Sequence, residues 1–211
     1  MSSQNEKPII FSTPMVRAIL DGRKTETRRV IKPQPVGAVE REMVFDGVGY
    51  WHSVNGGPTQ YAKCPYGAPG DRLWVRETWG LDEPGILKKC NGKLGLYMDG
   101  TALDSHFSVL YKATQAMDPD YPMYWRPSIH MPRWASRITM EVVDVRVERV
   151  KSIDHDDARQ EGVVLDTVAG GGDDRYPWAF HRLWDSINAK SGRGWDANPW
   201  VFVVEFKRLT P

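Results

Sequence analysis

Residues 13–31 read Thr13-Pro14-Met15-Val16-Arg17-Ala18-Ile19-Leu20-Asp21-Gly22-Arg23-Lys24-Thr25-Glu26-Thr27-Arg28-Arg29-Val30-Ile31. Thr13 followed by Pro14 has the form of an N-cap with proline at the first helical position, and Met15, Val16, Ile19 and Leu20 make one apolar stripe. Gly22 ends a helix of roughly ten residues and turns the chain into an extended segment, which Lys32-Pro33-Gln34-Pro35 closes. Side chains of a strand alternate, so Thr25, Thr27 and Arg29 share one face while Lys24, Glu26 and Arg28 share the other. A short helix thus delivers the chain into a strand dense in charge and hydroxyl groups.

Beyond this segment, Pro69-Gly70-Asp71 is a turn signal before Arg72-Leu73-Trp74-Val75-Arg76-Glu77-Thr78-Trp79. There Leu73 and Val75 face one way, Trp74 and Arg76 the other. Ile138, Met140 and Val142 alternate, then Val143, Val145 and Val147 alternate in the opposite phase, which predicts a long strand bulged at Val142-Val143. Asp154 caps a short helix running to Glu161, with Gly162 just past its end. A second helix spans about 177–187 and faces the core with Phe180, Leu183, Trp184 and Ile187, next to Tyr176. Trp200 to Leu209 is a closing strand, buried on both faces in its first half. Two stretches, about 36–66 and 81–135, are rich in glycine and proline and read as irregular insertions. Short strands are expected within them at 43–45, 50–51, 95–98 and 108–112. Gly170-Gly171-Gly172 with Asp173-Asp174 is a linker, because no strand precedes it and no Gly-Lys-Ser/Thr follows. Strands separated by long connections, one of them bent, predict an α+β fold: a small mixed β-barrel decorated with helices, in a single domain over 1–211.

The chain has 211 residues, 41% hydrophobic and 26% charged, enough for one enlarged domain with a real core. No apolar run approaches the ~20 residues that cross a bilayer, and the N-terminus lacks the pattern of an export signal, so the expectation is a cytoplasmic protein with no membrane partner. Cys64 and Cys90 cannot build a disulfide framework, and the histidines at 52, 106, 130, 155 and 181 have no metal-ligand spacing. No metal or cofactor is expected. A net charge of +1 argues against a protein that coats long duplex DNA. A local basic patch is still present in Arg28, Arg29 and Lys32, with Arg72 and Arg76 on a strand expected nearby, and it suits one or two phosphates. Tyr66, Trp74 and Trp79 flank the Gly70-Asp71 turn and are candidates to stack on a pyrimidine, with core packing the plainer role for Trp79.

Gly22 to Arg29 resembles the GxKxxxxR signature of ASCH domains, whose fold is a PUA-like barrel. Pro69-Gly70-Asp71-Arg72-Leu73 is similar to that family's strand entry, Asp154 to Gly162 to its short helix ending in Gln-Glu, and Val203-Val204-Glu205-Phe206-Lys207 to its closing strand. These blocks occur in the family's order and cover about half of the chain. The long form, with Cys64-Pro65-Tyr66-Gly67 before the turn, resembles versions carried by bacteriophages and prophages. The resemblance implies RNA binding or, as in a small bacterial member of the family, hydrolysis of N(4)-acetylcytidine by a lysine, a threonine and a glutamate. By motif position these fall on Lys24, Thr27 and Glu161, and the motif arginine falls on Arg29.

Amide hydrolysis needs an activated nucleophile, a proton for the leaving amine and stabilisation of the oxyanion. A desolvated Lys24 beside Arg28 or Arg29 would have a depressed pKa and would take a proton from Thr27 or from water, with Glu161 orienting it or shuttling the proton. Arg28, Arg29, Tyr66, Trp74 and Arg76 are the expected substrate-binding residues. Singly, each has an ordinary role: a lysine complements a helix C-terminus, a threonine favours strands, and a glutamate ending a short helix is solvated. The expectation is therefore a metal-independent amidohydrolase acting on an N(4)-acylated cytosine, its partner a modified nucleoside or RNA. The alternatives are a nucleic-acid binding module without chemistry and a metal-independent ribonuclease.

Overall fold

The computed structural model describes residues 6–35, 43–45, 50–53, 62–81, 86–90, 93–98, 101–102, 108–115, 125–165 and 175–209; the triple glycine at 170–172 and its two aspartates lie outside them. The chain opens with β1 (Glu6–Ile10), α1 (Thr13–Leu20) and β2 (Glu26–Val30). In the first insertion β3 (Met43–Phe45), β4 (Tyr50–Ser53) and β5 (Ala62–Lys63) form a three-stranded sheet. After β6 (Arg72–Arg76) and β7 (Trp79–Leu81), a second meander is made by β8 (Ile86–Cys90), β9 (Lys93–Met98) and β10 (Thr101–Ala102), and β11 (Val109–Tyr111) pairs with β7. Then come β12 (Thr139–Arg149), α2 (His155–Gln160), α3 (Arg175–Asn188) and β13 (Trp200–Leu209).

The central sheet has the order β1-β6-β12-β13-β2, with β1 parallel to β6 and the other pairs antiparallel. Its strongest pairing, β12 with β13, shifts register between Val142 and Asp144, so Val143 is the extra residue of the anticipated bulge. Both faces of β13 are buried from Trp200 to Val204. Phe202, Val204 and Phe206 pack with Ile9, Phe11, Val16 and Ile19 in one core, while Val201 and Val203 pack with Ala158, Phe180 and Trp184 in another. One face of the sheet is thereby covered by α1, the other by α2 and α3.

The structure is α+β, as the pattern predicts, but the sheet is open. Its edges are β1 and β2, and no ladder joins them among the described residues. The connection between them is α1 itself, and across the gap the Arg29 Nη2 donates to the Ile10 carbonyl at 2.7 Å. The bulge bends β12 without bringing the two edges into hydrogen-bonding register. β1 escapes sequence reading because Pro8 interrupts it; as an edge strand it leaves the missing N–H without consequence. At the other end of the gap, α1 begins one residue earlier than its proline implies. Ser12 holds the N-cap position, with no side-chain cap bond, and Thr13 is already helical.

Candidate active site

Gly22, at φ +74°, turns the chain out of α1, and the N–H groups of Arg23 and Lys24 close on the Ala18 carbonyl at 2.9 and 3.0 Å. From the other side α2 arrives, capped at its start by Asp154, whose Oδ1 accepts from the Asp157 N–H at 2.9 Å. The end of α2 docks on the start of β2: Lys24 and Glu161 form an antiparallel bridge, and the Thr25 N–H donates to the Gln160 carbonyl at 2.9 Å. Gly162, at φ +75°, permits this approach, since a Cβ there would stand 2.8 Å from the Lys24 Cβ and 2.9 Å from that of Ala18.

Lys24 is 2% exposed and Glu161 4%. The ammonium donates to Glu161 Oε2 at 2.6 Å, the Glu161 carbonyl at 2.9 Å and the Glu26 carbonyl at 2.7 Å. Burial pushes the Lys24 pKa down, against the opposing pull of the Glu161 carboxylate. All three ammonium protons are committed, and none goes to Thr27. In this arrangement Lys24 has no lone pair with which to act as the base that its motif position suggests. The capacity to accept a proton lies with Glu161, whose Oε1 receives the Arg28 N–H at 2.6 Å.

Behind this pair lies a network of ions. Arg28 binds Glu26, Asp157 and, at 3.3 Å, Glu148. Arg146 binds Glu26 and Glu148 at 2.6 Å, Asp157 at 3.0 Å, and Glu205. Glu26 is fully buried, and desolvation raises its carboxyl to about 7 in spite of Arg28 and Arg146. Burial works against the Arg28 charge, but the surrounding carboxylates outweigh it and raise the pKa.

A cavity of about 430 Å³ wraps the free edge of β2. Its walls come from both faces of the sheet: Met15, Tyr66 and Phe202 on one side, Phe180, Leu183 and Trp184 on the other, with Thr27, Arg28, Arg29, Val30 and Glu161 between them. The hydrogen bonds Ile31 N–H to Trp200 O and Phe206 N–H to Thr25 O turn the odd-numbered backbone groups of this strand toward β13. The even-numbered groups therefore point off the free edge. Lys24 occupies the Glu26 carbonyl and Glu161 the Arg28 N–H; the Arg28 carbonyl and the Val30 N–H come next along the edge.

Of the residues singled out in the sequence, Thr27 (3% exposed), Arg28, Arg29, Tyr66 and Glu161 line this cavity, and Lys24 stands directly behind Glu161. Arg29 lies over the Phe11 and Tyr66 rings, 5.1 and 5.9 Å from their centroids. Arg28 lines the wall, but its charge is spent on the carboxylates of Glu26, Glu148 and Asp157. Trp74 and Arg76 are not brought to the cavity. They sit on β6, separated from β2 by two strands, where Trp74 lies against Arg76 and Arg133 and the Arg76 Nε donates to the Met131 carbonyl at 3.0 Å. Trp79 is buried in a third core with Met131 and Ala135, which is its plainer role. Sequence reading missed Lys63 and Arg193, which also line the cavity, and it gave Phe180 and Trp184 to packing alone. Among the described residues no group of three or more His, Cys, Asp or Glu side chains is placed to hold a metal ion, and no helix is long and apolar enough to cross a membrane. No family model, curated protein or solved structure matches this chain.

Proposed function

We propose that this chain is an ASCH-type protein of PUA-like descent, and that the cleft at the β2 edge removes an acyl group from the exocyclic amine of a cytosine. The observation that carries this reading is the order of groups along the edge: Glu161, then the Arg28 carbonyl, then the Val30 N–H. An N(4)-acylated cytosine presents, in the same order, its acyl group, the amine N–H as donor and the ring nitrogen as acceptor. A base paired with the strand edge in that register lays its acyl carbon toward Glu161 and Thr27, with Tyr66 and Trp184 among the walls available to its ring. The volume suits a single small ligand.

In this scheme Glu161 takes the proton from the attacking hydroxyl, of water or of Thr27, and returns it to the departing amine; where Thr27 attacks, a water deprotonated by the same carboxylate then cleaves the acyl–threonine ester, freeing the acid and restoring the hydroxyl. Lys24 acts on the reaction through Glu161: its ammonium, fixed by three acceptors, balances the carboxylate charge and holds the side chain in place. No step calls for a metal. Purified protein should release acetate from N(4)-acetylcytidine, and Glu161→Gln should lower kcat by about a hundredfold or more, the scale of a lost general acid–base group. Failure to release acid from a panel of acylated cytidines removes the enzymatic reading.

One observation favours a second reading, nucleic-acid binding without turnover: the Lys24 donors are already satisfied within the protein, as in a structural ion pair. On that reading acylated and plain cytidine bind with equal affinity, and neither is altered.

A further inference from the structure

The cavity carries a second chemical feature that the base-reading edge does not use. Arg29, Lys32, Lys63 and Arg193 all line it, and Glu161 is the one carboxylate among its described lining residues. That carboxylate is already engaged by Lys24 and by the Arg28 N–H. Among the described residues, Arg29, Lys32 and Arg193 form no ion pair. The Arg29 Nε is buried with no hydrogen-bond partner, while its Nη2 is tied to the Ile10 carbonyl and its guanidinium lies over the Phe11 and Tyr66 rings. In a chain whose 28 basic and 27 acidic side chains nearly cancel, such one-sidedness around a single cleft is a local field. Walls of low dielectric focus a field of this kind on an anion.

We infer that the mouth of the cavity is a phosphate subsite formed by Arg29, Lys32, Lys63 and Arg193, so that the ligand is a cytidine nucleotide and not the free nucleoside. The identity of the base rests on the function proposed above; the phosphate subsite rests on the charges alone. The phosphate has two sources, the terminal group of a mononucleotide or the backbone of an RNA strand, and both present non-bridging, charge-bearing oxygens to guanidinium and ammonium donors.

The test is calorimetric titration of the intact protein with cytidine, cytidine 5′-monophosphate and a short cytidine-containing oligoribonucleotide, at low and high salt. The monophosphate should bind about tenfold or more tightly than cytidine at low salt, with the advantage shrinking as salt rises. In a Lys32→Ala/Arg193→Ala double variant that ratio should fall to about threefold or less, as expected when two of four cations are removed. The cap that Arg193 provides to Trp184 is a backbone carbonyl, so alanine retains it. Tighter binding of the oligonucleotide than of the monophosphate assigns the subsite to an RNA backbone; the reverse assigns it to a terminal phosphate. Equal affinities for cytidine and its monophosphate overturn the subsite even if acetate is released. A monophosphate preference without acetate release leaves the subsite standing and removes the hydrolase.

Discussion

Glu26 sits fully buried between the guanidinium groups of Arg28 and Arg146. Desolvation dominates, and the carboxyl rises from its ordinary value of 4.5 to about 7. An acid that binds its proton more tightly when folded adds stability below its unfolded pKa, and that contribution disappears as pH climbs through the folded pKa. The native state should therefore lose stability between pH 4.5 and about 7 on this account, by on the order of 3 kcal/mol for a shift of this size. Urea unfolding midpoints across that range, for the parent and for Glu26→Gln, check it: the variant should show a flatter slope whatever its offset. Lys24 poses the complementary case. Lys24→Met would strip the buried Glu161 of its closest cation, leaving only the Arg28 guanidinium at 3.8 Å, a loss of about 3 kcal/mol by the usual cost of breaking a buried pair. Equal urea midpoints for variant and parent would contradict it. The sequence pointed to Lys24, Thr27 and Glu161 only through the blocks that resemble ASCH domains, since each residue read singly has an ordinary role. Arg146 has no such marker: it reads as an outward residue in a valine-rich strand, and only the fold reveals that four carboxylates from β2, β12, α2 and β13 converge on it.

At the scale of elements, α2 is the part on which the site depends most. It has six helical residues, too short to be stable alone, and it is held by its N-cap and by the docking of its last residues on Lys24 and Thr25. Asp154→Ala removes the side-chain bond to the Asp157 N–H and should cost about 1 kcal/mol. Gly162→Ala should cost more. The left-handed backbone adds about 1–2 kcal/mol for a residue with a Cβ, and the new carbon would meet Lys24 and Ala18 inside contact distance. Because relief of that clash moves Lys24 away from Glu161, on the proposed hydrolase reading Gly162→Ala should lower turnover as well as stability, while Asp154→Ala should act on stability first. Parallel unfolding and acetate-release measurements separate the two. Both signals, the aspartate cap and the trailing glycine, were legible in the sequence, as were the bulge in β12 and the closing strand. The strand β1 was not, since proline argues locally against a strand and the edge position that excuses it is a property of the assembled sheet. For the same reason periodicity indicated bent strands without revealing that, among the described residues, α1 and no ladder spans the gap between β1 and β2.

At the scale of the molecule, two apolar cores share β13, and the ion network joins the sheet to α2 beside them. Three cations, Lys24, Arg28 and Arg146, meet five carboxylates, Glu26, Glu148, Asp157, Glu161 and Glu205. Negative charge is in excess, which favours retention of a proton on the most buried member and fits the raised Glu26 carboxyl. Arg146 is the group that prevents these carboxylates from repelling one another apart, and it joins three strands to one helix. Arg146→Met keeps the aliphatic stem but leaves Glu26 and its neighbours facing Arg28 alone, and should destabilise the protein by about 3 kcal/mol or more at neutral pH. The loss should shrink on acidification, because a protonated Glu26 neither needs the guanidinium nor repels its neighbours, so the urea midpoints of parent and variant should draw closer as pH falls below about 7. A pH-independent difference would mean that Arg146 acts through packing of its stem. In that case the network would be a passive filler between sheet and helix, and the position of α2, and with it of Glu161, would depend on the apolar contacts of Ala158 instead.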